Sequence, residues 1–270
     1  MPEYKAKQLS AEWLAIRRGK ATGSNAPAIM KTLKVNTKNG AKGAPAAERR
    51  NYAKEVAGEI LSGVAASHFV TRWMDEGREK EPAARDAYQV RTMQVVDLCG
   101  FFIHDVISRF GASPDGLIDD DGIVEFKCPK YETHIEYLLN PENLVEKYEW
   151  QCVAEMSCTG RQWVALVSFF DKDEDGHTLP RELQMVIVRV NRDEAKIKEL
   201  EDSVLTFLEE VEAILKVLAE KYGNFEPAHD PPSNPIAYDE TMLGDDEFNE
   251  VFAEDAAYYA QRNAATKGEV

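Results

Sequence analysis

The chain has no uninterrupted apolar segment of membrane-spanning length, and its opening MPEYKAKQLS lacks the hydrophobic stretch of a secretory signal. A cytoplasmic protein without membrane association is the expectation. Cysteine is scarce. Cys99, Cys128, Cys152 and Cys158 form no Cys-x-x-Cys pair, which excludes a zinc ribbon or knuckle and fits reduced thiols. A positive net charge is missing too: the 270 residues carry a formal −16, which taken alone speaks against a nucleic-acid-binding chain. The deficit is uneven, however. Residues 1–54 hold twelve Lys and Arg against three acids, whereas residues 226–270 hold eleven acids against two bases. This asymmetry predicts a basic binding face and an acidic tail.

What is present suits one sizeable core: 44% hydrophobic and 30% charged residues. Four prolines between Pro227 and Pro235 end the compact region, giving a domain over residues 1–225 and an acidic, proline-containing extension over 226–270. In that extension Phe248, Val251, Phe252 and Tyr259 have amphipathic spacing. Docking of such a helix is favoured over disorder or a partner-binding segment.

Helices are predicted over residues 10–18 with Ser10 as cap, around 27–33, and over 48–62, 69–92, 133–139, 144–158 and 191–222. Pro82 is expected to break or kink the helix over 69–92, or to mark a fresh helix start. Strands are predicted over 101–107, 163–170 and 183–190, the second continuously apolar and therefore central. Residues 31–47, with Lys34, Lys38 and Lys42, read as a mobile loop whose charges either meet a polyanion backbone or are simply solvated. His104 and Asp105 are explained by turn polarity.

The chemistry concentrates in Gly111–Lys130, GASPDGLIDDDGIVEFKCPK. Two short strands joined by an acidic Gly-containing turn form a hairpin there. Alternation puts Glu125 and Lys127 on one face and Phe126 on the other, and the pairing strand can bring Asp115 to the first. One reading is a solvated hairpin with an incidental ion pair. The other is a site for a hard divalent ion, which binds through one or two carboxylates and lowers the pKa of an attacking water. Farther upstream, the Thr-Gly-Ser-Asn turn at residues 22–25 offers hydroxyls and N–H groups either as a plain helix cap or to an anion.

Ser113-Pro114-Asp115-Gly116 followed by Glu125-Phe126-Lys127-Cys128-Pro129 resembles the PD-(D/E)xK nuclease signature. In particular it resembles the branch that contains phage lambda exonuclease and the YqaJ-type viral recombinases. Trp13-x-x-x-Arg17-x-Gly19-x-x-Thr22-x-Ser24, Gly77-x-x-x-Glu81 and Tyr148-x-x-Gln151 extend the resemblance in order from about Glu12 to Val190. The absence of Cys-x-x-Cys argues against the iron–sulfur branch of these nucleases. The resemblance implies an α/β, restriction-endonuclease-like core, with a mixed central β-sheet flanked by helices.

The implied activity is a Mg²⁺-dependent 5′→3′ exonuclease that digests one strand of linear duplex DNA to mononucleotides. The 3′ overhang would go to a single-strand annealing recombinase protein. By the same resemblance, Asp115, Glu125, the Phe126 carbonyl and Glu81 hold two Mg²⁺ ions (Mn²⁺ substituting), and Lys127 positions and deprotonates the attacking water. Arg17, Ser24, Ser113 and Gln151 hold the 5′-phosphate, with Tyr148 beside them. Trp13 lies near the bases or packs in the core, and Met74 stands near a strand-splaying wedge position or in the core. Glu155 matches nothing in the pattern. A ring-shaped homotrimer is implied, with a tetramer as the variant. Alternatives are an endonuclease or 3′→5′ nuclease of the same superfamily, or a catalytically silent module that binds DNA ends.

Overall fold

The computed structural model describes residues 3–6, 8, 10–37, 40–65, 72–172 and 176–223, with backbone alone for 72–78. Lys38, the side chain of Met74 and the extension over 226–270 lie outside the described residues.

The elements in order are β1 (Glu3–Tyr4), α1 (Ala11–Arg17), β2 (Ala21–Thr22), a 3-10 turn at Gly23–Asn25, α2 (Ala26–Met30), α3 (Ala47–Ser62), α4 (Arg72–Thr92), β3 (Phe101–Ile103), β4 (Phe110–Ala112), β5 (Gly116–Ile118), β6 (Gly122–Lys127), α5 (Tyr131–Leu139), α6 (Pro141–Thr159), β7 (Trp163–Phe169), β8 (Met185–Asn191) and α7 (Glu194–Tyr222). The strands form two four-stranded mixed sheets, ordered β1-β3-β4-β2 and β5-β6-β7-β8, where one central sheet was expected. In the second sheet β5 and β8 run antiparallel to their neighbours while β6 and β7 run parallel, and β7 is indeed internal.

Alternation in the second sheet divides the core. Ile123, Val164, Leu166, Val186 and Val190 join the α6 and α7 side chains in the main cluster, while Val124, Phe126, Ala165, Val167 and Phe169 pack with Ala84 and Tyr88 of α4. Burial of each such side chain stabilises by about 1.5–3 kcal/mol, so a strand apolar on both faces has its place fixed. Glu125 and Lys127 share the parity of Ile123 and therefore face α6.

Local chemistry sets the ends of the elements. Ser10 accepts from the Trp13 N–H at the start of α1, and Asp193 accepts from Ala195 and Lys196 at the start of α7. Gly160, at φ 76°, closes α6 in the left-handed conformation and turns the chain into β7. Arg49 of α3 is buried; it donates to Glu210 of α7 at 2.8 Å and to the Ile29 carbonyl at 2.9 Å, tying three helices together.

Two local expectations change. The strand predicted to Ile107 stops at Ile103, because the His104 ring turns back and its Nδ1 accepts from the N–H groups of Val106 and Ile107. The other nitrogen of that ring pairs with Glu201 at 3.1 Å. Where described, residues 31–46 form the expected loop, pinned locally where Thr32 bridges Pro45, Thr37 bridges Gly40, and the Leu33 N–H donates to the Ala44 carbonyl. Finally, α4 runs through Pro82 without a break.

Candidate active site

The site is built where the β5–β6 hairpin meets α6. Asp115 stands just before β5, and its Oδ2 accepts from the Phe126 N–H at 2.7 Å, tying the carboxylate to the opposite strand. Lys127 Nζ donates to Glu125 Oε1 at 2.7 Å and to Gln151 Oε1 at 3.0 Å. Gln151 Nε2 in turn donates to Glu125 Oε1 at 2.5 Å and to Glu155 Oε1 at 3.0 Å. Tyr148, one helical turn before Gln151, presents its ring 4.7 Å from the Lys127 ammonium. These groups thus form one connected cluster across strand and helix.

The charge balance within it is lopsided. Burial first, and then the neighbouring Glu125 and Glu81 carboxylates, hold the Asp115 pKa well above the ordinary value, although Lys127 and the Phe126 N–H pull it down. Glu155 is likewise raised, by burial and then by Glu125. At Lys127 burial works against the ammonium, yet Glu125 and Asp115 outweigh it and raise the pKa. Glu81 and Asp115 also add to the burial that pushes Cys128 up to about 12, which puts both carboxylates in the same electrostatic neighbourhood. Two buried oxygens, Glu125 Oε2 and Glu155 Oε2, have no hydrogen-bond partner.

That donor set fits a hard divalent cation. Carboxylate oxygens predominate, Glu125 Oε2 is buried and unsatisfied, and burial together with the crowded negative charge raises the Asp115 pKa. Among the described residues no three acidic, His or Cys side chains close around a metal position by themselves. Mg²⁺ does not require such a cage, because water and substrate phosphate complete its shell. An open cleft of about 600 Å³ adjoins the cluster, lined by Glu81, Asp115 and Phe126 together with Lys5, Gln8 and Arg85.

A second group is assembled from α1 and the segment after β4. The Trp13 indole N–H donates to Ser113 Oγ at 3.1 Å, and the Arg17 guanidinium lies over the indole ring at 3.9 Å. Trp13 is buried with Ala6, Phe101 and Ile103, so it acts as a core platform under Arg17. Ser24 is exposed, in the turn whose Gly23 lies against Ala112 and Ala154; a Cβ on Gly23 would stand 3.0 Å and 3.5 Å from theirs. The close approach sets the turn that carries Ser24 against the strand that leads to Ser113 and the helix that bears Gln151. Thr22 joins the turn to Tyr52, whose hydroxyl accepts from the Thr22 N–H at 3.0 Å.

The structure therefore brings Asp115, Glu125, Phe126, Lys127, Tyr148 and Gln151 into direct contact and adds Glu81 through the cleft. It links Trp13, Arg17 and Ser113 as a separate trio, joined to the first group by the two-residue step from Ser113 to Asp115. Glu155 had no role in the sequence pattern. Its i,i+4 spacing from Gln151 was the available signal, since residues so spaced are neighbours on one helix face. Lys5, Gln8 and Arg85 carry no comparable signal, being gathered only by tertiary packing.

Comparison with known proteins follows the same span. The model of the YqaJ-like viral recombinase domain matches residues 12–162. The crystal structure of LHK-Exo in complex with dAMP is 38% identical, with a TM-score of 0.65, covering 78% of this chain and 97% of that one. The alkaline exonuclease LHK-Exo from Laribacter hongkongensis is similar at 37% identity, a TM-score of 0.64 and the same coverage. A phage-related exonuclease from Haemophilus somnus, 14% identical over 74% of this chain and 96% of its own, shares the fold with a TM-score of 0.62. No curated protein matches the chain.

Proposed function

The chain belongs to the YqaJ-like viral recombinase family, and on that premise we propose that it is a divalent-metal-dependent exonuclease. It digests one strand of linear double-stranded DNA in the 5′→3′ direction from a 5′-phosphorylated end, releasing mononucleotides and leaving a 3′ overhang. The observation that carries this reading is the cluster in which Lys127 and Gln151 both bond Glu125 while Asp115 bonds the backbone between Glu125 and Lys127, with a buried, unsatisfied Glu125 oxygen among them. The relative LHK-Exo was crystallised with dAMP, a deoxynucleoside monophosphate, which is the chemical form of the proposed product.

Asp115, Glu125 and the Phe126 carbonyl, with Glu81 for a second ion, would hold two Mg²⁺ ions that, when bound, supply a low-pKa water and stabilise charge on the phosphate. Lys127, with its pKa raised, is an ammonium that donates to the attacking water and so orients it; it could take that water's proton only after losing one of its own. Arg17, held over Trp13, offers a charge-assisted donor to the 5′-phosphate, and Ser24, Ser113 and Gln151 add neutral ones. Tyr148 steadies the Lys127 ammonium through its ring face. A pocket that rewards a terminal phosphate fixes the polarity of digestion. The overhang would pass to a single-strand annealing protein, and a homotrimeric ring, with a tetramer as the variant, would keep the enzyme on its strand.

The test compares 5′-phosphorylated linear duplex, 5′-hydroxyl linear duplex and a covalently closed circle, each with Mg²⁺. Rapid loss of the phosphorylated duplex, slower loss of the hydroxyl form and an intact circle are expected. Cutting of the circle overturns the exonuclease assignment, and digestion from the 3′ end overturns the polarity.

A further inference from the structure

Both hydrogens of the Gln151 amide nitrogen are committed, one to Glu125 and one to Glu155. The amide oxygen faces the Lys127 ammonium. Chemistry fixes this orientation: Lys127 has only donors, so the atom it meets must be the oxygen, and the atom between two carboxyl oxygens must be the nitrogen. Of the three partners only Glu155 stands outside the nuclease signature. It sits one turn beyond Gln151 on α6, 1% exposed, with its second oxygen buried and unsatisfied. A buried carboxyl in such a place is a liability for the fold unless it serves the site.

We propose that Glu155 is a positioning residue that pins one N–H of Gln151 and so aims the other at the 5′-phosphate. The inference rests on the phosphate-binding reading of Gln151 given above. Before substrate arrives, the second N–H lies on Glu125. With its sister hydrogen anchored on Glu155, the amide cannot rotate away, and a phosphate oxygen entering beside Glu125 meets an N–H already in place. Without the anchor the amide is held only by Lys127 and Glu125, the two partners the proposed chemistry itself engages, and the entropy of ordering it again once they turn to substrate falls on binding. Glu155 touches no reacting atom, and its effect is confined to recognition of the terminal phosphate.

The readout is the ratio of kcat/KM on 5′-phosphorylated duplex to that on 5′-hydroxyl duplex. Glu155→Leu removes the acceptor while keeping bulk, and should lower the ratio about tenfold, chiefly by raising KM for the phosphorylated end; tenfold corresponds to about 1.4 kcal/mol. Glu155→Gln retains a carbonyl acceptor and should keep the wild-type ratio. If Glu155→Leu does not fold, Glu155→Ser, too short to reach Gln151, takes its place with the same expected loss. A merely structural role would slow both substrates equally and leave the ratio intact, and that result overturns the proposal, as does a collapse of the ratio in Glu155→Gln. A wild-type ratio near one indicts the phosphate pocket itself, separately from Glu155.

Discussion

At Lys127 burial and charge pull in opposite directions, and the nearby carboxylates win. The consequence is a firmly held ammonium at the centre of the cluster. Lys127→Ala should therefore reduce digestion by about a hundredfold or more, the range of a lost proton donor or acceptor, while binding to DNA ends measured by fluorescence anisotropy persists. Digestion at the normal rate would remove Lys127 from the mechanism.

A second expectation at this scale concerns Asp115 and Glu155, whose pKa values are raised above those of an unfolded chain. The folded, metal-free protein then binds more protons than the unfolded chain above about pH 4, so this stability is present at low pH and lost as pH rises through the raised values. Metal-free melting temperature should fall between pH 5 and pH 8. Added Mg²⁺ should restore more of it at pH 8 than at pH 5, and Asp115→Asn should flatten both trends; a Mg²⁺ effect that is larger at pH 5 contradicts the assignment.

Among elements, the β5–β6 hairpin is the one whose geometry the site depends on. Gly116, directly after Asp115, is packed so closely that an added Cβ would lie 2.3 Å from Val96 Cγ1 and 3.2 Å from Val124 Cγ1. Gly116→Ala forces these neighbours apart and should destabilise by about 1–3 kcal/mol in urea unfolding. Cleavage should suffer more than end binding, because the displaced residue adjoins a carboxylate. An unchanged unfolding midpoint would mean that the hairpin yields more readily than its contacts imply. Helix α4 teaches the converse lesson. Pro82 removes one backbone hydrogen bond, yet the helix persists, because Ala84 and Tyr88 are buried against β6 and β7 and hold the following turn in place. Local propensity predicted a break there; packing overrode it. The strand starting at Phe101 was shortened for a similar reason, when the His104 ring took the N–H groups that the ladder would have used.

For the molecule as a whole, charge segregation is the feature most readily tied to function. Lys and Arg cluster in residues 1–54, and Arg17 and Lys5 stand at the site or its cleft. Affinity for a DNA end should fall steeply between low and physiological salt, as counterion release requires, despite the acidic total charge. A salt-independent affinity would argue against phosphate contacts. The proposed ring predicts a native mass three times that of the chain in light scattering, four times for the tetrameric variant, and a monomeric mass under assay conditions removes enclosure as the source of processivity. Among the described residues no helix is long and apolar enough to cross a membrane.

Much of the site was legible before folding because its logic is local. Alternation along 123–127 alone puts Glu125 and Lys127 on one side and Phe126 on the other, and a three-residue turn, Asp119 to Asp121, is enough to double the chain back near Asp115. Helical spacing likewise put Tyr148 and Gln151 on one face. What a sequence period cannot state is which surface that face will meet. Tertiary packing alone divided the strands into two sheets, buried Trp13 beneath Arg17, and carried α6 across β6 so that Gln151 closed on Lys127. It also buried Glu155, unremarkable in the sequence, with one oxygen on Gln151 and the other without a partner. Periodicity fixes a residue's direction within its own element, whereas the partner it finds depends on contacts between segments far apart in the chain.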